Sequence, residues 1–354
     1  MIKKIITITL FIFFVAFLVV AGFLGYAAIT TYHPSDIEKI DISGKSSKDL
    51  NTTDTIKILS WNVGYCGLGE SEDCYFDGGK NVIAKSKDEV NDNFTKIRNN
   101  IVGINPDVIF LQEVDIKSKR SYKIDEKEEF EEGLGKDLYK STFAINYKAG
   151  MVPYPFPTML GEVKAGIQTF SKYDISESTR IQLHIPFSWP MSMLNLKRCL
   201  LISRVKVNNK ELVLINLHLE AYDDGEGRKA QLDMLKEYMD KEVEKGNYVI
   251  VGGDFNQTFS NSNYSKYPYY DGNWQQGVIE TSEFSNFNLY MDNTYPTCRL
   301  LDKPYKDSDK SKFQYYMIDG FMVSKNINVL EVNTINYDFV NSDHNPVVMN
   351  VKLG

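Results

Sequence analysis

The sequence predicts an α/β fold in which two mixed or antiparallel β-sheets pack face to face, with helices on the outside. Three observations support this prediction. Strand candidates outnumber helices, several strands are joined by tight turns, and the two clear amphipathic helices lie between strands. With 354 residues, of which 43% are apolar and 25% charged, the chain has a globular composition and can bury a sizeable core.

The chain begins with a segment that is long enough to span a bilayer. Lys3 and Lys4 precede a run from Ile5 to Tyr32 without a charged residue. At about 1.5 Å per residue, this run exceeds the roughly 30 Å of bilayer hydrocarbon. We therefore expect residues 1–32 to be an uncleaved anchor, although small residues near 21–28 leave a cleaved signal and secretion as the alternative. The two lysines favour the cytoplasm, which places the rest of the chain outside it.

Residues 33–54 are polar without a strong period and predict a linker, followed by one domain over residues 55–354. The net charge of −7 gives no sign of a nucleic-acid-binding surface. Cys66 and Cys74 lie in a Gly-rich acidic loop, where an oxidising exterior would permit a disulfide. Their spacing is not that of a zinc site.

The first half of the domain predicts a strand, a helix and a strand. Ile56–Trp61 alternates as a strand does, and Val108–Leu111 is typical of a buried strand. Between them, a capping box at residues 86–89 begins an amphipathic helix that Pro106 ends. The charged segment 117–140 predicts a helix in part. Further strands are expected at Thr142–Tyr147, Gly166–Phe170, Arg198–Val207 and Lys210–Leu219, the last two joined by a turn at Asn208-Asn209.

A second amphipathic helix is expected over Glu226–Lys245, with Gly246 as its stop signal. It precedes the buried strand of Val249–Thr258, in which two glycines are followed by Asp254 and Asn256. Alternation places these two side chains on one face of the extended chain. The remaining strands are expected at Gln314–Val323 and Val329–Ile335, paired as a hairpin, and at Pro346–Leu353.

Eight polar residues interrupt or end these strands. Each alone has a structural explanation, such as a surface acid, a satisfied core histidine or a capped turn. Two of the four histidines in the chain occupy such positions, however, and eight coincidences together indicate a site. The residues are Asn62, Glu113, His218, Asp254, Asn256, Asp319, Asp343 and His344.

The short motifs around these residues are similar to those of the endonuclease/exonuclease/phosphatase family, which includes DNase-like hydrolases and neutral sphingomyelinases. They follow the family's order and span nearly all of residues 56–353. The resemblance implies a four-layer α/β sandwich and a metal-dependent phosphoesterase. The motifs are Ser60-Trp61-Asn62, Leu111-Gln112-Glu113, Asn216-Leu217-His218, Gly253-Asp254-Phe255-Asn256, Ile318-Asp319 and Ser342-Asp343-His344. Residues 166–172 and the Arg228–Gln231 pair also resemble family features.

Phosphoester hydrolysis requires a cation, an activated water and stabilisation of the phosphoryl charge. Mg²⁺ or Mn²⁺ suits a carboxylate and an amide oxygen, so we expect Glu113 and Asn62 to be metal ligands. Asp254 would orient or deprotonate the attacking water. Asn256 would hold that water or a phosphoryl oxygen.

The two histidines have roles that the sequence leaves open. His344 would act as a base or as a phosphate-binding cation, and the resemblance implies that Asp319 or Asp343 orients it. His218 would donate to the phosphate or to the leaving group. The family pattern does not decide which group is the acid and which is the base.

The substrate is less well defined than the chemistry. Loops at residues 153–157 and 186–191, and a segment at 264–274, are rich in aromatic residues. These residues would meet lipid, stack on bases or pack over the sandwich edges. We expect a monomeric, anchored phosphodiesterase or phosphatase acting on a lipid headgroup or a small phosphoester. An anchored nuclease and a catalytically inactive binding module are the alternatives.

Overall fold

The computed structural model describes residues 1–223 and 225–354. The four α-helices of these residues are α1 (Ile2–Thr30), α2 (Lys87–Ile104), α3 (Glu126–Leu134) and α4 (Glu226–Glu244). The strands are β1 (Ile37–Lys39), β2 (Ile42–Gly44), β3 (Thr55–Asn62), β4 (Val108–Asp115), β5 (Lys140–Val152), β6 (Gly161–Ser171), β7 (Ile175–Gln182), β8 (Cys199–Val207), β9 (Lys210–His218), β10 (Tyr248–Asp254), β11 (Gln257–Phe259), β12 (Gly277–Ile279), β13 (Phe287–Tyr290), β14 (Cys298–Arg299), β15 (Tyr315–Tyr316), β16 (Asp319–Ser324), β17 (Ile327–Thr334) and β18 (Val347–Leu353).

Two seven-stranded sheets form the body of the domain. The first sheet has the order β1-β7-β8-β9-β10-β16-β13, and the second has the order β17-β18-β3-β4-β6-β5-β2. Both are mixed, because β9 and β10 pair in parallel in the first and β3 and β4 do so in the second. The predicted fold class of two packed mixed sheets flanked by helices is therefore confirmed.

Alternation of side chains along the strands separates three apolar layers. In β3, Ile56 and Ile58 face the space between the sheets, whereas Leu59 and Trp61 belong to the layer beneath α2 and α3. The outer face of the first sheet is covered by α4 through a third apolar cluster. Each fully buried aliphatic or aromatic side chain contributes roughly 1.5–3 kcal/mol. The result is a helix–sheet–sheet–helix sandwich.

The predicted ends of the helices rest on local interactions. Ser86 accepts a hydrogen bond from the Glu89 amide at 3.1 Å, which confirms the N-cap of α2. This helix ends at Asn105, whose φ of 52° places it in the left-handed conformation just before Pro106. After α4, Gly246 adopts the expected left-handed conformation with a φ of 81°.

The predicted hairpin between Gln314–Val323 and Val329–Ile335 is wrong. Strand β16 pairs with β10 and β13 in the first sheet, whereas β17 pairs with β18 in the second. The short connection between them carries the chain from one sheet to the other. Asn326 holds it by donating to the Asn247 carbonyl at 3.0 Å. A short polar connection has the same sequence pattern whether the chain turns back or crosses over.

The segment interpreted as a linker contributes an edge strand to each sheet. Strand β1 pairs antiparallel with β7, and β2 pairs antiparallel with β5. Before it, α1 is the one helix among the described residues that is long and apolar enough to cross a membrane. Cys66 and Cys74 carry free thiols in the structure.

The two glycines of β10 are required by neighbouring chain segments rather than by a ligand. Gly253 has a φ of 150°, and a Cβ there would overlap the Leu217 carbonyl oxygen of β9. A Cβ on Gly252 would lie 2.6 Å from the ring of Phe321. The glycines thus permit close packing on both sides of the strand that carries Asp254.

A pair of alanine substitutions tests this account. Gly253→Ala should lower the free energy of unfolding by about 2 kcal/mol or more, because it combines overlap with an unfavourable φ. Gly103→Ala, at an exposed helical position with open space around it, should raise it by about 0.5–1 kcal/mol. Urea unfolding of the full chain in detergent measures both. Equal stabilities of the two variants would contradict the conclusion that close packing requires a glycine at position 253.

Candidate active site

The register of three adjacent strands places three site residues in one row. His218 of β9 lies opposite Asp254 of β10 in the parallel pair, and Asp254 lies opposite Asp319 of β16 in the antiparallel pair. The His218 Nε2 atom is 3.4 Å from an Asp254 carboxylate oxygen. All three side chains are buried. Strand pairing thus brings two carboxylates and an imidazole together at one edge of the first sheet.

His344 joins this row from the second sheet. It lies in the loop before β18, where Trp61 Nε1 donates to its carbonyl oxygen at 2.9 Å. Its Nδ1 is 2.8 Å from Asp319 Oδ2, and its Nε2 is 3.7 Å from Asp254 Oδ2 and 3.9 Å from Asp343 Oδ2. Of the two carboxylates that the sequence proposed for orienting His344, Asp319 is therefore the one in hydrogen-bond contact.

Glu113 reaches the site through an irregularity in β4. The register with β6 shifts between Leu111 and Val114, and Glu113 has a φ of 56°. Such a bulge re-aims a side chain that would otherwise follow the pleat. Its carboxylate accepts a hydrogen bond from Asn62 Nδ2 at 3.3 Å.

Asn62 connects Glu113 to the row of buried groups. Its Nδ2 also donates to Asp254 Oδ2 at 3.0 Å, while its Oδ1 accepts from the Gly64 amide at 3.0 Å. The amide nitrogen, rather than the oxygen, therefore faces the two carboxylates.

Asn256 follows directly after β10 and has a φ of 50°. Its backbone amide donates to Asp254 Oδ1 at 2.8 Å, and its side-chain Nδ2 donates to the Leu219 carbonyl at 2.9 Å. Phe255 between them points into the apolar layer below α4. Asp254 and Asn256 thus line the same cavity, as expected from the sequence, although Asn256 is left-handed rather than extended.

Burial shifts the acidities of the carboxyl groups. It raises the pKa of Asp254 to about 7, and the neighbouring charge of Asp319 acts in the same direction. Burial also raises the pKa of Asp343 to about 6, where the charge of Glu113 adds to the effect and His344 opposes it. Both carboxyl groups are therefore harder to ionise than exposed ones, mainly because they are buried.

The pKa values of the two histidines are shifted in opposite directions. Burial lowers the pKa of His344, but the carboxylate of Asp319 and other nearby acids outweigh it and raise the pKa well above the usual value. For His218, burial and the positive charges of Arg198, His344 and Arg120 together lower the pKa well below the usual value. The geometry thus favours a cationic His344 beside a neutral His218.

These residues surround a cavity of about 240 Å³. Glu113, His218, Asp254, Asn256, Asp343 and His344 line it, while Asn62 and Asp319 contact this lining from behind. The structure thus brings all eight candidates together. It also adds lining residues that sequence reasoning missed: Asp77, Arg120, Arg198, Tyr222 and Arg299. Asp77, Arg120 and Tyr222 lie outside the strands, so no periodic signal marked them. Arg198 and Arg299 lie at strand ends, directly before β8 and at the end of β14.

Arg120 is the missed residue most closely tied to the site. It forms a bidentate pair with Asp115, with Nη2 2.9 Å from Oδ1, and its Nη1 is 3.9 Å from Glu113 Oε2. Its guanidinium lies 3.8 Å above the ring of Tyr65. Arg120 therefore brings a fixed positive charge to the rim of an acidic cavity.

Gln231, from the predicted Arg228–Gln231 pair on α4, supports the site from below. Its Oε1 accepts from the Glu220 amide at 3.0 Å, and its Nε2 donates to the His184 carbonyl at 2.9 Å. It thereby fixes the chain that follows His218. Arg228 pairs with Asp223 at 2.8 Å.

The donor set of the cavity suits a hard divalent cation. Glu113, Asp77 and Asp343 all line it, and burial raises the pKa values of Asp77 and Asp343 to about 6 each, with Glu113 adding to both shifts. A bound cation would relieve this repulsion. Two further groups are close enough to share a metal, Asp254–Asp319–His344 and Cys298–Asp343–His344. In the first group, however, His344 Nδ1 is already in hydrogen-bond contact with Asp319. In the second group, burial raises the pKa of the Cys298 thiol to about 12, which disfavours the thiolate that a metal would bind.

Comparison with known proteins gives a consistent result. The model of the endonuclease/exonuclease/phosphatase family matches residues 59–344. A crystal structure of an endonuclease/exonuclease/phosphatase from Beutenbergia cavernae aligns with a TM-score of 0.58 and 17% identity over 85% of this chain and 72% of that chain. The human Nocturnin catalytic domain with bound sulfate aligns with a TM-score of 0.51 and 17% identity over 89% and 98% of the two chains.

A third structure, D. rerio TDP2 complexed with a single-strand DNA product, aligns with a TM-score of 0.52 and 15% identity over 84% of this chain and 99% of that chain. No curated protein matched the sequence significantly. At these identities, the solved structures establish the fold.

The charge state of His344 is testable by NMR. Asp319→Asn removes the nearest carboxylate, so the imidazole pKa should fall from well above its usual value because burial then acts with less opposition. Titration of the ¹⁵N-labelled histidines measures it. Asp137→Asn, which removes an exposed carboxylate paired with Lys45, serves as the control. An unchanged His344 titration in Asp319→Asn would show that Asp319 does not hold the charge.

Proposed function

The chain belongs to the endonuclease/exonuclease/phosphatase family, whose members are metal-dependent phosphoester hydrolases, and we propose that it hydrolyses a lipid headgroup or another small phosphoester outside the cytoplasm. One observation carries the proposal. Eight polar side chains from six separate segments converge on a single cavity that holds both carboxylates and imidazoles. A purely structural role does not require so many buried ionisable groups at one sheet edge.

In this proposal Glu113 is the principal protein ligand of Mg²⁺ or Mn²⁺. Asn62 holds its carboxylate in place, since the Asn62 amide nitrogen faces Glu113. When bound, the cation would polarise a phosphoryl oxygen and offset the negative charge of the cavity. Asp77 and Asp343 also line the cavity and would be available to water molecules around the cation.

The hydrogen bonds support the following roles for the groups that would transfer protons or stabilise charge. Asp254 is the central carboxylate, held by the Asn62 side chain and the Asn256 amide, and it would orient or deprotonate the attacking water. His344, held by Asp319, would stabilise charge on the phosphoryl oxygens as a cation. His218 would assist the leaving group, and Asn256 would hold the water or a phosphoryl oxygen.

The cellular location is inferred from α1. We assign residues 1–32 as a membrane anchor, with Lys3 and Lys4 on the cytoplasmic side and the catalytic domain of residues 55–354 outside. Strands β1 and β2, from the segment before residue 55, belong to the folded domain.

A nuclease is the second candidate function. It is favoured by the structural likeness to TDP2, which was crystallised with a single-strand DNA product. The net charge of −7 disfavours binding of long nucleic acids, which depends on neutralised phosphates. The full chain in detergent with Mg²⁺ would then nick supercoiled plasmid and hydrolyse no other phosphoester, and this result would establish the alternative.

Hydrolysis of bis(p-nitrophenyl) phosphate tests the proposed site. Asp254→Asn and His344→Ala should each lower kcat by about 100-fold or more, because each removes a group at the reacting centre. Asp233→Asn, which removes an exposed carboxylate of α4, is the matched control and should retain full activity. Circular dichroism checks that the variants fold. Full activity in Asp254→Asn would exclude the proposed role, and an inactive wild type across a phosphoester panel would favour a binding module.

Metal removal provides a separate test. EDTA should abolish hydrolysis, and Mg²⁺ or Mn²⁺ should restore it. Glu113→Gln should raise the metal concentration for half-maximal activity by roughly tenfold or more, because it removes the ligand charge. Glu132→Gln, an exposed change on α3, should leave it unaltered. Activity that survives EDTA would refute the metal requirement.

A further inference from the structure

We propose that two uncharged loops beside the end of α1 enter the interface of the bilayer that holds α1, and that the cavity therefore takes a phospholipid of that same membrane. We call them the interface loops: residues 149–160, which include the last four residues of β5, and residues 185–196. The inference rests on the proposed function for its substrate, whereas the membrane contact itself is tested independently below.

The first step is the attachment of α1 to the domain. Thr31 Oγ1 donates to the Met193 carbonyl at 2.7 Å, and Tyr26 Oη donates to the Gly150 carbonyl at 3.4 Å. A Cβ on Gly150 would lie 2.6 Å from Thr30 Oγ1, which shows how closely the helix packs there. Both carbonyls belong to the interface loops. The point at which α1 leaves the membrane is therefore the point at which these loops lie.

The second step is the composition of the loops. Neither contains a charged residue, although a quarter of the whole chain is charged. Four of their large side chains point outward: Tyr154, Phe156, Trp189 and Met191 are 51%, 79%, 68% and 56% exposed. The three aromatic residues of this group thus remain at least half exposed, even though Tyr154 also packs against Tyr75 and Phe76. An exposed cluster of apolar residues marks an interaction surface.

The third step identifies the occupant. Trp and Tyr concentrate at the membrane interface, where the ring is partly buried and its polar atom stays hydrated. The loops offer no Lys or Arg for a nucleic-acid backbone. Their continuity with the end of an apolar helix favours the bilayer surface over a soluble partner.

The fourth step links the loops to the cavity. Tyr154 shares a 2.6 Å hydrogen bond with Tyr75 and packs against Phe76, a residue of the cavity lining. In the second loop, Asn195 lines the cavity and donates to the Met191 carbonyl at 3.0 Å. The same two segments therefore border both α1 and the cavity. A phospholipid whose headgroup rises from the bilayer would reach the cavity along them.

Tryptophan fluorescence tests the membrane contact. The full chain is reconstituted in nanodiscs of phosphatidylcholine, or of the same lipid with brominated acyl chains, which quench nearby indoles. Of the three tryptophans, Trp61 is buried and Trp274 donates to the Ala221 carbonyl. Trp189→Phe should remove most of the bromine-dependent quenching, whereas Trp274→Phe should retain it. Equal quenching in Trp189→Phe and wild type would overturn the proposed contact, in favour of a soluble partner for this surface.

Kinetics test the substrate. The double variant Phe156→Ser/Trp189→Ser should lose about fivefold or more of the turnover of vesicle phosphatidylcholine, phosphatidylglycerol or phosphatidic acid, and keep its rate on bis(p-nitrophenyl) phosphate. Leu330→Ser, which changes a half-exposed apolar residue on the edge strand β17 of the second sheet, should keep both rates.

The outcomes separate the two proposals. Hydrolysis of the soluble ester but of no vesicle lipid, or equal loss of both rates in the double variant, would overturn the lipid substrate. Failure of the wild type on every ester would overturn the proposed function. The quenching result would still decide whether the interface loops contact the bilayer.

Discussion

The site depends on the register of β9, β10 and β16. It fixes His218, Asp254 and Asp319 in one buried row, so that two carboxylates lie side by side where water cannot screen them. Such a pair is unfavourable unless a cation lies beside it. His344 supplies that charge from the second sheet, with one ring nitrogen on Asp319 and the other near Asp254. The electrostatic requirement of the first sheet is therefore met only when the second sheet packs against it.

The residues beside the chemical groups hold the two sheets together. Gln112, next to Glu113, donates to Asn216 Oδ1 at 2.8 Å across the sandwich. Asn216, two residues before His218, donates in turn to the carbonyls of Leu111 and Gln168 at 3.2 and 2.9 Å. Because hydrogen bonds are directional, these buried side-chain amides fix the relative position of the two sheets more narrowly than apolar packing does. Each of these two motifs thus combines one residue that fixes the sheets with one that faces the cavity.

Much of the fold and of the site could be predicted from the sequence because strand alternation and strand ends are local signals. Glu113, Asp254 and His344 were identifiable because each ends or precedes an apolar strand. Arg120 and Asp77 were not, because they reach the cavity from irregular segments whose positions depend on tertiary packing. The crossing between β16 and β17 was misread for the same reason, since pairing partners are chosen by the whole sandwich.

The chain between helix and sheet limits how the domain can be oriented. Only residues 31–36 separate α1 from β1, and an extended chain of that length spans about 20 Å. Tyr32 is already tied to the domain, because its backbone amide donates to the Lys148 carbonyl at 3.3 Å. A domain on a long flexible linker would sample many orientations relative to the helix. Here the short segment between α1 and the first sheet, together with the hydrogen bonds of Tyr26 and Thr31 to the Gly150 and Met193 carbonyls, fixes the direction of α1 relative to the cavity.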